Sequence, residues 1–304
     1  KFHDEGILVQ MNKSLSIEWL SLLLLFCCVG AIAHESPNSI LDELSHRMAQ
    51  EGPSARLLVE RSYEYRAIRN MHLAELDLKL ALHLDAEYGP AYAALARLYV
   101  HEGKAKRALE LVEKGLARSE DEALRGQLHG LAAEAYVLEK NPEAALVSIN
   151  KALAYSAKEL EWVLLKSGLL KKLGRHRERV AYVRGAHEKN GAVVIVIELV
   201  DALRDAGEYE ECLSRIDGYI AKRRFKAEWL LRRAEVYGVM KQPEKVQADA
   251  RRALEELEGR LNPKNPAVHL YEDMARAYGL LGDVDARDGV LGKIEELKLK
   301  KETP

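Results

Sequence analysis

The stretch AYAALARLYVHEGKAKRALELVEKGL, Ala91 to Leu116, decides the fold. Tyr92, Leu95-Ala96 and Tyr99 fall three or four residues apart, the spacing of one helix face. Ala108, Val112 and Gly115 repeat that spacing on the far side of Gly103. Gly103 stands where a first helix has to stop, in backbone that accepts positive φ. Two antiparallel helices joined by a short turn approach within about 8–10 Å only where small residues occupy the crossing. Ala96 and Ala108 supply them.

The same frame steps along the chain, starting at Ala55, Gly89, Gly126, Leu160, Val193, Ala227 and Val268. Its fourth position reads Leu58, Tyr92, His129, Val163, Val196, Leu230 and Tyr271. The eighth reads Ser62, Ala96, Ala133, Ser167, Val200, Ala234 and Ala275, small in nearly every case. The eleventh reads Tyr65, Tyr99, Tyr136, Leu170, Leu203, Tyr237 and Tyr278. On the second helix, Leu78, Val112, Ile149, Val183, Ile216, Ala250 and Leu291 form one column. Ala81, Gly115, Ala152, Ala186, Tyr219, Ala253 and Ile294 form another. Five columns in phase over seven frames are not a chance pattern.

This pattern resembles the tetratricopeptide repeat (TPR), a unit of about 34 residues and two antiparallel helices. The resemblance implies an all-α, right-handed superhelical solenoid of about seven helix pairs. The repeats are expected near 55–88, 89–122, 126–159, 160–192, 193–226, 227–260 and 268–301. Each unit buries a face that it cannot bury alone, and the Tyr column is expected to fill the gap between neighbours. Gly174, Gly207 and Gly282 match Gly103 in ending first helices, and Pro142 and Pro243 open second helices. A further helix, Ser39 to Gln50, with Ser39 as its cap, is expected to cover the first repeat within a capping region at 34–54.

Some positions depart from the pattern. Arg61, Lys166 and Arg233 replace Leu in the seventh position, and Arg179 and Arg287 replace a small residue in the twentieth. Such frames are expected to be shifted by a residue or to hold a looser helix pair. Between the sixth and seventh repeats, Leu261 to Ala267 carries Asn262-Pro263 and Asn265-Pro266, an extended connection. It reads either as a hinge or binding loop or as a longer surface turn.

Residues 1–33 read as upstream residues and a signal peptide, set aside before fold reasoning. Met11 is the expected start, and Lys1–Gln10 look like vector or upstream read-through. Lys13 lies in the polar lead, Leu20 to Gly30 is the apolar run, and Ala31-Ile32-Ala33 supplies small residues for cleavage before His34. An uncleaved anchor is disfavoured, because Trp19 to Ala33 is short for a span of about 20 residues. Lipidation at Cys27 or Cys28 is disfavoured by the bulky Phe26 and the Cys27 that precede them. The expected location is periplasmic or secreted, with no stable membrane span after cleavage. Cys212 is then the one cysteine left, expected to be a small core residue.

Forty-six Lys+Arg against forty-eight Asp+Glu argue against nucleic acid as a partner, since neutralising phosphates requires a basic excess. No nucleophile elbow, phosphate loop or zincin helix occurs, and the nearest same-helix histidine pairs are eleven residues apart. No catalytic residue, metal site or cofactor is therefore expected, and the chain is not expected to be an enzyme. His129 reads as a core histidine rather than a ligand.

What the TPR resemblance implies for function is a concave groove, lined by the second, fifth, ninth and twelfth positions of each first helix. The first two repeats place Arg56, Tyr63, Arg66 and Arg97 there, with His101 one residue beyond. The sixth and seventh place Glu228, Glu235, His269, Glu272 and Arg276, an end expected to be more acidic. The Lys/Asn clamp of TPR co-chaperones is absent, since its positions read Val59, Tyr63, Ala93 and Arg97. The expected partner is a protein or peptide with an acidic segment, because Arg beside Tyr anchors a carboxylate and its apolar neighbour. The alternative is an accessory subunit of an envelope or secreted enzyme complex, contacting through the convex face.

Overall fold

The computed structural model describes residues 37–157, 159–262 and 265–302. The expected upstream residues and signal peptide, with the cleavage site before His34, lie outside the described residues, as do Pro263 and Lys264 of the expected connection. Every regular element among the described residues is an α-helix.

The chain divides into two compact units, one ending at Leu124 and one beginning at Arg125. The first holds α1 (Pro37–Glu51), α2 (Ala55–Ala67), α3 (Met71–Leu84), α4 (Gly89–His101) and α5 (Ala105–Arg118). Helix α6 (Glu122–Leu138) crosses the division. The second unit continues with α7 (Pro142–Tyr155), α8 (Leu160–Lys172), α9 (His176–Lys189), α10 (Val193–Ala206) and α11 (Tyr209–Lys222). It ends with α12 (Ala227–Val239), α13 (Pro243–Arg260), α14 (Val268–Leu281) and α15 (Val284–Glu302).

One turn design recurs in all seven pairs. The fifteenth position has positive φ each time: Gly103, Gly174, Gly207 and Gly282 near 70–80°, and Arg69, Lys140 and Lys241 at 61°, 57° and 56°. The next residue then donates its N–H to the carbonyl of the eleventh position, as in Asn70 to Tyr65 at 2.7 Å and Asp283 to Tyr278 at 3.0 Å. That bond closes a Schellman turn and occupies a carbonyl the helix end would otherwise leave open. Pro142 and Pro243 sit in first turns, where a missing N–H costs nothing.

In the first unit, Leu57, Leu58, Leu78, Ala81, Ala96, Leu98 and Ala108 are buried. In the second, Ala133, Ile149, Ala152 and Leu170 form one core cluster, Val183, Leu199, Leu203 and Ile216 another, and Leu231, Ala253 and Leu257 a third. The small eighth-position residues are buried throughout. The tyrosines of the eleventh column keep the phenol tip near polar groups, as Tyr99 donates to Glu75 at 2.8 Å. Gly130 makes a close approach, since a Cβ there would stand 2.7 Å from the indole nitrogen of Trp162.

The structure differs from the sequence reading in four places. Helix α1 begins at Pro37, so Ser39 lies in its first turn and is not the cap. Helix α6 begins at Glu122, ahead of Gly126, because Asp121 accepts the Leu124 N–H at 2.7 Å and caps it there. In α15 the buried stripe is Ile294 and Leu297 with Val290 packed alongside, while Leu291 is exposed. Arg287, in the small-residue column, keeps its side chain 41% exposed and pairs with Asp288 at 2.9 Å. The frames at Arg61, Arg233 and Arg179 keep their register, because ion pairs replace the apolar contacts, as the site geometry shows.

Candidate functional site

Where an arginine takes the seventh position of a first helix, it meets the twenty-third, sixteen residues on, across the helix pair. Where Arg61 takes that position in the first unit, Asp77 answers it with two hydrogen bonds of 2.7 Å. In the second unit Arg233 and Asp249 repeat the fork at 2.7 Å for both bonds. These buried forks take the place of Leu-on-Leu packing, and a bidentate guanidinium–carboxylate pair fixes orientation as well as charge.

Arg179 is the deepest charge, with its side chain 3% exposed. It donates to Ser167 at 2.9 Å, Glu198 at 2.6 Å and Asp205 at 2.7 Å. From Asp205 a ladder runs over the first helices of the second unit. Arg204 bridges Asp205 at 3.2 Å, Asp201 at 3.2 Å and Glu235 at 2.7 Å. Arg232 holds Asp201 at 2.8 Å, and Arg276 holds Glu235 at 2.7 Å and Asp273 at 3.1 Å. Burial pushes the Asp205 carboxyl up, but Lys171, Arg204 and Arg179 outweigh it and hold it below its ordinary value. Burial also raises Asp273, and Glu228 adds to that rise.

The end expected to be acidic is therefore internally neutralised. Glu235 lies between two guanidiniums, Glu228 meets Arg232 at 3.4 Å and Glu272 meets Lys298 at 3.6 Å. Sequence reading missed this ladder. Its signal was the 31-residue interval from Asp201 to Arg232 and from Arg204 to Glu235, about one repeat.

The first unit is arranged differently. Tyr63 and Arg66 lie on α2 and Arg97 on α4. Tyr63 is 45% exposed. Arg66 is half-buried, and its proton affinity is lowered first by burial and then by the charge of Arg97. Among the described residues no carboxylate reaches salt-bridge distance of either. Arg56 is instead paired with Glu60 at 2.8 Å on its own helix. His101 is exposed at the end of α4, with no polar contact that joins it to the cluster. Of the five candidate residues, Tyr63, Arg66 and Arg97 come together.

Cys212 is buried, and its thiol donates to the Val200 carbonyl at 3.4 Å. Burial pushes the thiol up to about 11, so it stays protonated near neutrality. His129 is partly buried against the ring of Tyr155, with centroids 6.1 Å apart, and burial lowers its pKa. Among the described residues no group of His, Cys, Asp and Glu is placed to hold a metal ion. No helix there is long and apolar enough to cross a membrane.

The turn, the columns and the stacked pairs are those of the tetratricopeptide-repeat fold, and solved structures agree. A tetratricopeptide repeat protein from Parabacteroides merdae matches at a TM-score of 0.58 and 18% identity, over 80% of this chain and 92% of that one. PilF of Pseudomonas aeruginosa matches at 0.51 and 18% identity, over 70% of this chain and 91% of that one. A chain from the Cut9–Hcn1 hetero-tetramer of the APC/C matches at 0.50 and 13% identity, over 86% of this chain and 52% of that one. The chain thus has the all-α fold of TPR solenoids. No protein-family model matches it, and no curated protein matches it.

Proposed function

We propose that the chain is an exported protein-interaction scaffold that captures a protein or peptide through an acidic segment or free carboxyl terminus. The observation that carries this is the pair Arg66 and Arg97, two guanidiniums that repel one another and meet no carboxylate among the described residues, with the exposed ring of Tyr63 on the same helix as Arg66. An isolated protein gains nothing from holding like charges together on a partly buried face. An incoming carboxylate relieves the repulsion and forms charge-assisted hydrogen bonds worth roughly 1.5–3 kcal/mol each, less where water screens them. Tyr63 offers apolar contact for the neighbouring side chain. The fold supports an interaction role, since a chain of the same fold is part of the Cut9–Hcn1 hetero-tetramer. We assign the chain no catalytic role.

Reversing Arg66 and Arg97 together to Glu is expected to weaken capture of the partner from the native envelope fraction by at least about tenfold, roughly 1.4 kcal/mol. Glu228 and Glu272, the more exposed acids of the other end, reversed to Lys serve as the control. Unchanged binding in the Arg reversals overturns the proposal. Export rests on the apolar run and on Ala31 and Ala33, and N-terminal sequencing of mature protein should begin at His34. A mature form that still carries Leu20–Val29 would contradict it.

The alternative, an accessory subunit docking through its second helices, is favoured by one observation. Leu76, Leu80 and Leu84, four residues apart on α3, are 48%, 41% and 47% exposed. If Leu80→Glu abolishes partner capture while the Arg reversals leave it intact, that reading replaces the first.

A further inference from the structure

A cation takes the seventh position three times, and each time it meets the twenty-third across the helix pair. Arg61 and Arg233 each meet an Asp in the twenty-third. The third cation, Lys166 on α8, meets Tyr182 on α9 instead, with its ammonium 4.1 Å from the ring centroid. Among the described residues no carboxylate lies within salt-bridge distance of Lys166, and no hydrogen-bond partner meets the Tyr182 hydroxyl. Burial lowers the proton affinity of Lys166, with Glu178 only partly offsetting it, and pushes the Tyr182 phenol up to about 12. Both groups line a cleft of about 460 Å³ among α7, α8 and α9. Asn150 and a second cation, Lys189, also line it, and the remaining walls, Leu153, Ala154, Ala181 and Gly185 among them, are short or apolar.

We propose that this cleft is a binding site for a small organic carboxylate, with Lys166 as its counter-ion and the alanine and leucine walls around its apolar body. The volume lies in the range of small-ligand sites, and few polar groups on an apolar lining is their usual chemistry. An ammonium over an aromatic face gains little from the ring, while a carboxylate in the same low-dielectric cleft gives it a full counter-charge, with Lys189 on the same lining as a second cation. The Tyr182 hydroxyl supplies a second donor. A purely structural role would be better served by Leu, the residue of the same position in the second and fifth repeats, Leu95 and Leu199. The carboxylate belongs either to a free short-chain acid or to the C-terminus of a peptide, and both present the same head and apolar body.

Isothermal titration of the full chain with hexanoate and with N-acetyl-leucine tests the site, using hexanol and N-acetyl-leucinamide as neutral controls. Saturable binding of at least one acid at or below about 1 mM is expected, with neither neutral analogue binding. The acid that binds more tightly identifies the source. Lys166→Met is expected to keep the fold, since an apolar side chain suits that position, and to weaken binding at least about tenfold. Gly185→Leu fills the cleft without touching the charge, as no atom lies within 4 Å of a Cβ built there, and is expected to abolish binding. The proposal is overturned if neither acid saturates, if the neutral analogues bind equally, or if binding survives both variants in folded protein.

Discussion

The first helices of the two units carry similar residues to opposite ends. In the second unit Arg204, Arg232 and Arg276 are each held by carboxylates on their own and neighbouring first helices, and the chain of pairs reaches the buried Arg179. In the first, no such carboxylate among the described residues meets Arg66 or Arg97, and Arg66 loses proton affinity to burial and to the charge of Arg97. Charge count alone does not separate these cases. The difference lies in whether a carboxylate stands one repeat away at the matching position. A ladder that satisfies its own charges fixes the register of stacked helices, while an unanswered pair leaves charge for something outside the chain.

The largest effect should come from the root of the ladder. Arg179→Ala leaves Glu198 and Asp205 without their buried counter-ion and should cost about 3–5 kcal/mol in urea unfolding. A loss below about 1 kcal/mol would mean that the ladder is only decoration on an apolar core. Glu235→Ala removes the carboxylate that Arg204 and Arg276 share, and their side chains are 19% and 34% exposed. That exposure reduces the expected cost to about 2 kcal/mol.

Acid sharpens the same comparison. Asp205 has its folded pKa depressed, so its contribution is fully present above the unfolded value, near 4, and is lost as pH falls through the lower folded value. Asp273 runs the other way, because its raised folded pKa makes ionisation a penalty that acid relieves. Stability of the second unit should therefore hold between neutral pH and about pH 5 and decline below about pH 4. Lys171→Met should flatten that decline, since Lys171 contributes most to holding Asp205 down, and a decline of the same size in the variant would remove Asp205 from the account.

Smaller still are the left-handed turn residues, which both units share. Lys140→Gly and Lys241→Gly should each raise stability by about 0.5–1 kcal/mol, since only glycine adopts positive φ without steric cost. A drop at either site would show that its long side chain contributes contacts beyond the turn. The smallest effect is expected in the first unit. Arg66→Met should shift stability by no more than about 0.5 kcal/mol, in the stabilising direction, because it removes a charge repelled by Arg97. A clear loss on thermal unfolding would make Arg66 a structural residue and break the contrast between the two units.

Helix pairing, the repeat interval and the turn positions were legible in the sequence because each follows from local chemistry. Small residues every 34 or so positions mark crossings, and glycine or proline marks where helices stop and start. Of the candidate site, Tyr63, Arg66 and Arg97 were legible as one face, since helical spacing alone brings Tyr63 and Arg66 round to the same side. What the sequence could not show was which charges find partners. Arg56 and Arg66 were both read onto the groove face, yet Glu60 claims one and, among the described residues, no carboxylate claims the other. Arg61, Arg179 and Arg233 read as breaks in the pattern until Asp77, Asp205 and Asp249 were brought against them. Hydrophobic burial is nearly additive over a helix face and can be read one residue at a time. An ion pair exists only at a distance of a few ångströms between residues far apart in the chain, and only the packing of one helix on the next sets that distance.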